Sequence, residues 1–137
     1  NPYVIFNRAI TYSRDDYKKA IRKSRKKGNL TYFLDYILTS TLKELKKEYL
    51  INCIDKAKKL GIDDKQVLQS YLSLNDIPTV DNLASFYNDY DSHKSNEKVI
   101  TKLIKPMIEK RIFQITTNYR GQETLSINKK LIKRNEN

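Results

Sequence analysis

The spacing of apolar residues between Thr79 and Ile127 changes from helical to strand-like, and this change constrains the fold more than any other feature of the chain. Apolar residues first recur every three or four positions, which is typical of a helix with one buried face. From Ile112 they tend to alternate with polar residues, as in a half-buried strand. Asn118 to Gly121 supplies a turn, with glycine at the strained position. The stretch therefore predicts a helix, a connector, a second helix and a β-hairpin.

That order is typical of the C-terminal part of a winged helix-turn-helix. Upstream, Asp63 and Asp64 precede an apolar stripe that predicts the first helix of the domain, and acidic residues suit its first turn. Pro78 and Thr79 open the second helix. Ser95 is a good N-cap for the third. We call this third helix, which follows Ser95 and carries several lysines, the lysine helix.

The lysine helix is predicted to have two unlike sides. Its inward residues are Val99 or Ile100, Leu103, Ile104, Met107 and Ile108. The predicted DNA-binding residues are Lys94, Asn96, Lys98, Thr101, Lys102, Lys105 and, at the hairpin tip, Arg120. Lysine suits phosphates or guanine edges, and asparagine and threonine suit base edges. The alternative is an ordinary solvated helix face. We expect Pro106 to interrupt this helix, because its ring should kink or weaken the preceding turn, and the exposed face should therefore be short.

The net charge of +11 is unevenly distributed. Residues 1–61 carry 15 Lys/Arg against 6 Asp/Glu, residues 62–128 carry 8 against 9, and residues 129–137 carry 4 against 1. Within the predicted winged helix, residues 62–93 are mainly acidic and residues 94–111 mainly basic. The basic block is where lysines would displace counterions from a polyanion. The tail after residue 128 is expected to add mobile charge without sequence information.

The N-terminal part is predicted to form a helical hairpin. Ser13 and Asp16 stand three residues apart, as in a reciprocal N-terminal cap, so a helix should begin there. Gly28 should end it. A second, longer helix should follow from about Thr31 and stop near Gly61. The apolar lead-in from residue 3 to residue 10 has no obvious layer to bury it, which indicates a segment cut from something larger.

The runs Ile10 to Ala20 and Gly28 to Leu38 resemble the end of a Fic domain, and many Fic proteins continue into a C-terminal winged helix. The resemblance covers roughly residues 3–60 for the Fic-like segment and residues 62–128 for the appended domain. Fic proteins transfer AMP or related groups to protein hydroxyls with a His-Pro-Phe-x-x-Gly-Asn loop. The chain has no such loop, and its single histidine, His93, lies in a different context. The resemblance thus implies that any AMP transfer belongs to a parent protein, upstream of Asn1.

The sequence contains no motif for a metal site or for a nucleotide-binding loop. One histidine and one cysteine cannot form a usual zinc site, and no glycine-rich phosphate loop is present. We therefore expect no enzyme activity of this chain, no cofactor, no metal and no small-molecule ligand.

Cys53 cannot form an internal disulfide, which fits a cytoplasmic protein. No apolar run approaches the roughly 20 residues that span a bilayer.

These observations predict a mainly α fold, with a helical segment over residues 1–61, a winged helix with a small β-hairpin over residues 62–128 and a basic tail over residues 129–137. The expected function is DNA binding in a regulatory, transcriptional or targeting role. A first alternative is a protein-interaction or dimerisation module, with a second copy or an upstream Fic domain as partner. A second is association of the basic helix Arg14 to Lys27 with an acidic surface.

Overall fold

The computed structural model describes residues 2–90 and 95–133, which are mainly helical with a two-stranded antiparallel sheet near the C-terminus. The helices are α1 (Pro2–Tyr12), α2 (Arg14–Lys27), α3 (Thr31–Lys58), α4 (Ile62–Ser73), α5 (Val80–Tyr90), α6 (Asn96–Val99), α7 (Lys105–Glu109) and α8 (Lys129–Lys133), with a π-helical turn at Ile100–Ile104. The strands are β1 (Phe113–Thr117) and β2 (Glu123–Ile127). The predicted fold class, mainly α with a β-hairpin, is confirmed.

The chain divides into two compact units, unit 1 (Asn1–Tyr49) and unit 2 (Leu50–Asn137). The sequence-based division at residues 61 and 62 lies after α3, whereas the boundary between the compact units falls within that helix. Ile51 and Ile54 explain the difference, because both are buried in the core of unit 2.

In unit 1, the apolar lead-in from residue 3 to residue 10 lies in helix α1, which precedes the two helices of the predicted hairpin. Helix α2 begins after Ser13 as predicted, but the cap predicted between Ser13 and Asp16 does not form. Because α1 ends at Tyr12, the Ser13 hydroxyl is within reach of the preceding turn and bonds to the Ala9 carbonyl. It also bonds to the Tyr36 hydroxyl.

The turn between α2 and α3 is formed as the sequence predicts. Gly28 adopts the left-handed conformation, with φ at +70°, and ends α2. The Ser24 hydroxyl accepts a hydrogen bond of 3.0 Å from the Phe33 N–H, which fixes the first turn of α3. Tyr17 packs against Phe33 and Tyr36 with ring centroids 6.1 and 6.0 Å apart, respectively. Aromatic packing thus joins α2 to the N-terminal part of α3.

Unit 2 has the element order predicted for it, with α4, α5 and the lysine helix followed by the hairpin. Its core is continuous, and the largest fully buried side chains include Ile54, Leu68, Leu83, Tyr87, Ile104, Met107, Ile112, Phe113 and Leu125. The backbone of Leu125 joins β2 to α4 and to the connector before α5. Its N–H donates to the Pro78 carbonyl at 2.9 Å, and its carbonyl accepts from the Tyr71 hydroxyl at 3.0 Å. Burial raises the pKa of that Tyr71 hydroxyl.

The hairpin has the predicted turn and return strand. The strands pair from Phe113 with Ile127 to Thr117 with Glu123. At the tip, the Asn118 side-chain oxygen accepts hydrogen bonds from the Arg120 and Gln122 N–H groups at 2.9 and 3.0 Å. Gly121 has φ at +77°, as the turn requires.

The basic tail was expected to be mobile, but its first residues form α8. Leu131 explains this difference, because its side chain is 5% exposed and belongs to the core of unit 2. The Asn128 side-chain oxygen also accepts a hydrogen bond of 3.2 Å from the Lys130 N–H at the beginning of the helix. Residues 134–137 lie outside the described part of the chain.

Replacing Gly121 with alanine is expected to lower the free energy of unfolding of unit 2 by about 1–2 kcal/mol, because φ there is +77°. Gly61→Ala is the matched control. Gly61 has φ at −78°, and a Cβ added there would lie 3.8 Å from Asp64 Oδ2, which is an ordinary contact. Gly61 is also the N-cap of α4, where alanine is less favourable than glycine, and this loss offsets the lower entropy of the unfolded alanine chain, so we expect a change within about 0.5 kcal/mol. Urea denaturation of both variants measures the difference. Equal effects would show that turn strain does not limit this substitution.

Candidate nucleic-acid interface

The lysine helix is held to unit 2 by its apolar side, as the sequence predicts. Val99, Leu103, Ile104 and Met107 are buried, and Ile100 and Ile108 pack against the same core. At its N-terminus, the Ser95 hydroxyl accepts a hydrogen bond of 3.3 Å from the Lys98 N–H, which confirms the predicted N-cap. The core therefore fixes the backbone that carries the exposed lysines.

The exposed side carries three lysines with no ion-pair partner among the described residues. Lys98, Lys102 and Lys105 are all solvent-exposed. The described ion pairs involve other cations, including Lys110, whose Nζ lies 4.0 Å from Asp64 Oδ2. Three unpaired ammonium groups on one rigid helix can neutralise phosphates.

Pro106 changes the lysine helix by widening the turn before it. The chain stays helical from Asn96 to Glu109, but Ile100–Ile104 is π-helical, and the Lys105 N–H donates to the Ile100 carbonyl five residues back. The wider turn accommodates a ring that would collide with the Lys102 carbonyl in a regular α-helix. The turn affected is the one predicted, although the helix is not interrupted.

The widened turn also alters which residues share a face. In a regular α-helix, positions 98 and 105 lie almost in line, because seven residues make nearly two turns. A π turn contains the equivalent of one extra residue, so Lys105 is rotated by about 100° from that line. Lys98, Lys102 and Lys105 therefore form a broad basic surface and not a narrow stripe.

The two polar residues predicted to contact bases have internal partners. The Asn96 side chain accepts from the Asn88 amide at 2.6 Å and donates to the Ser85 hydroxyl at 2.9 Å, so it joins the lysine helix to α5. The Thr101 hydroxyl is 2.9 Å from the Glu97 carbonyl of its own helix. Both side chains are exposed, but internal hydrogen bonds use part of their bonding capacity and restrict their orientation.

The hairpin tip presents two exposed side chains. Arg120 lies at the tip, as predicted, and the Cζ of its guanidinium is 5.4 Å from the centroid of the Tyr119 ring. Tyr119 is 90% exposed and was not among the predicted site residues. The available signal was an aromatic residue inside a turn, where no core can cover it. Lys94, also predicted to bind DNA, lies outside the described residues.

The described residues, 2–90 and 95–133, were compared with the requirements of a metal site and of a membrane-spanning helix. Within them, no group of three or more histidine, cysteine or acidic side chains could hold a metal ion. No helix there is both long and apolar enough to cross a membrane. The exposed lysines and the hairpin tip instead form surfaces suited to an anionic partner.

Comparison with family models, with curated proteins and with solved structures finds no match to the chain.

The bond between Asn96 and Ser85 is expected to stabilise the packing of the lysine helix on α5. In a double-mutant cycle of Asn96→Ala and Ser85→Ala, we expect a coupling of about 0.5–1 kcal/mol in the free energy of unfolding. A cycle of Thr101→Ala with Ser85→Ala serves as the control, because Thr101 bonds within its own helix. If the changes in the free energy of unfolding are additive in both cycles, the bond between Asn96 and Ser85 does not contribute to stability, and the Asn96 amide is available to a ligand.

Proposed function

We propose that unit 2 binds double-stranded DNA through the exposed side of the lysine helix. The proposal rests on one observation: Lys98, Lys102 and Lys105 are exposed, have no ion-pair partner among the described residues and stand on a helix whose opposite side is buried. A helix held in this way can enter the major groove while its lysines contact phosphates.

The hairpin tip supplies a second contact in this proposal. The Arg120 guanidinium binds a phosphate or enters a neighbouring groove, and the exposed Tyr119 ring packs against sugar or base. The two contacts lie on separate elements of the same unit, as in winged helix-turn-helix proteins.

The proposed complex depends more on phosphates than on bases. Internal hydrogen bonds use part of the bonding capacity of Asn96 and Thr101 and restrict how their side chains are oriented. These side chains are therefore less free to adapt to base edges than the lysines are to phosphates, and an internal bond exchanged for a base contact yields little net free energy. We therefore expect strong salt dependence and weak sequence preference. For this DNA binding we propose a regulatory or targeting role, with transcription control as one form of it, as the resemblance of the sequence to Fic proteins implies.

A protein-interaction module is the second candidate. It is favoured by the nearly balanced charge of residues 62–128, with 8 basic and 9 acidic residues. Exposed apolar side chains favour it too, since Ile62 and Ile77 are 80% and 64% exposed. The partner in that case is a second copy or an upstream Fic domain.

Fluorescence anisotropy with a mixed-sequence duplex, at two or more salt concentrations, tests DNA binding. Log affinity falls as log salt rises, and the Lys98/Lys102/Lys105→Ala variant is expected to make this fall less steep. The magnitude of the slope should decrease by about 0.9 for each phosphate that the variant no longer neutralises. The variant should also weaken binding by at least about tenfold at low salt, which corresponds to about 1.4 kcal/mol.

A Lys18/Lys19/Lys26→Ala variant is the matched control, because it removes three exposed lysines from α2. It should retain the wild-type slope. If both variants lose affinity equally, binding reflects net charge, and if the wild type does not bind, the DNA proposal is abandoned in favour of a protein partner.

A further inference from the structure

Unit 2 contains a second basic feature, which does not include the exposed lysines of the lysine helix. A cavity of about 180 Å³ is lined by Lys58, Arg111, Asn128, Lys130 and Leu131. Its three cations come from the end of α3, the residues after α7 and the beginning of α8. We call the surface formed by Lys58, Arg111, Asn128 and Lys130 the basic notch.

Hydrogen bonds of Asn128 fix the backbone of the notch. Its side-chain amide donates to the Arg111 carbonyl at 2.9 Å, and its side-chain oxygen accepts from the Lys130 N–H at 3.2 Å. Its own N–H donates to the Ile112 carbonyl at 2.9 Å. The buried Leu131 side chain holds α8 against the core. The backbone positions from which Arg111 and Lys130 extend are thus set by the fold.

The positive charge of the notch is not neutralised among the described residues. No carboxylate lines the cavity, and Lys58, Arg111 and Lys130 take part in no described ion pair. The nearest acidic residue before Lys58 on α3 is Asp55, which is already engaged. One of its side-chain oxygens accepts from the Leu60 N–H at 2.8 Å, and the other lies 3.5 Å from Lys65 Nζ. A concave surface with three unpaired cations attracts anions.

Arg111 occupies a backbone position at which glycine is normally favoured. Its φ is +63°, and the Ile112 N–H reaches back to the Met107 carbonyl at 2.9 Å, as at a helix end closed by a left-handed residue. A side chain at positive φ costs stability relative to glycine. Such strained positions are more frequent at functional sites, and Arg111 differs from the other positive-φ cation among the described residues, Lys59, in that it lines the cavity. The Arg111 side chain is also the one that brings a guanidinium to the notch.

Interaction with helix dipoles accounts for only part of this cluster. Lys58 ends α3 and Arg111 follows α7, so both cations suit the negative ends of helices. Lys130 lies in the first turn of α8, where a cation gains nothing from the dipole. The convergence of all three on one cavity requires another explanation.

We propose that the basic notch binds a phosphate group. The guanidinium of Arg111 can contact two phosphate oxygens at once, while Lys58 and Lys130 supply ammonium groups from the other sides. The phosphate belongs either to a free phosphorylated compound or to a nucleic-acid backbone. The inference goes beyond the proposed role of the lysine helix and does not depend on it.

Titration with inorganic phosphate and with pyrophosphate, followed by amide NMR at constant ionic strength, tests the notch. We expect saturable shifts at Arg111, Asn128 and Lys130. Arg111→Gly should weaken binding by at least about tenfold, because it removes the bidentate group. The same variant should raise Tm by a few degrees, because it relieves the positive φ. Opposite changes in Tm and affinity exclude unfolding as the cause of weaker binding.

Lys59→Gly is the matched control. Lys59 is also a cation at positive φ, with φ at +52°, but it does not line the cavity. We expect Lys59→Gly to raise Tm similarly and to change phosphate affinity by less than about twofold. Shifts that do not saturate, or equal losses of affinity in the two variants, would overturn the proposal.

A DNA titration of the Arg111→Gly variant distinguishes the two sources of phosphate. If the magnitude of the slope of log DNA affinity against log salt decreases by about one, and free phosphate competes with DNA, the notch binds a backbone phosphate. If DNA affinity is unchanged while phosphate affinity falls, it binds a free phosphorylated compound. If the wild type binds phosphate and not DNA, the lysine-helix proposal fails and the notch proposal stands.

Discussion

The backbone of Leu125 is the point on which the arrangement of unit 2 depends. Its N–H and carbonyl bond to Pro78 and Tyr71, and its side chain is fully buried. One residue of β2 therefore connects the hairpin to α4 and to the segment that opens α5. Without these bonds, two buried backbone groups would lose their partners, at a cost comparable to a large core mutation. The position of the hairpin relative to α4 and to the beginning of α5 follows from this connection.

The parts of the fold that the sequence predicted are those governed by local rules. Caps such as Ser95, the glycine at position 121 and the spacing of apolar residues act within a few positions and predicted the helices and hairpin of unit 2. The features that it missed depend on contacts between distant residues. The Ser13 hydroxyl bonds to Tyr36, 23 positions away, in preference to capping its own helix. Helix α8 forms because Leu131 is buried in the core of unit 2, and no local sequence pattern predicts that position 131 reaches this core.

The candidate site shows the same division. The exposure of Lys98, Lys102 and Lys105 follows from helical periodicity and was predictable. The partners of Asn96 lie on α5, so the sequence could indicate that its amide was suitable for base contacts and could not show that internal hydrogen bonds hold it. The basic notch is harder still to predict, because Lys58 and Lys130 are 72 positions apart in the sequence and meet only after unit 2 has folded.

The π-helical turn before Pro106 affects how this chain compares with related sequences. A relative with an uninterrupted α-helix would need one residue fewer between Asn96 and Glu109 to keep the same buried residues on both sides of the turn. The two sequences would align only across a single-residue gap inside a helix, where alignment procedures strongly disfavour gaps. Such a relative would also present its lysines in a different angular order. Divergence of this kind changes the exposed surface of a helix while leaving its core intact.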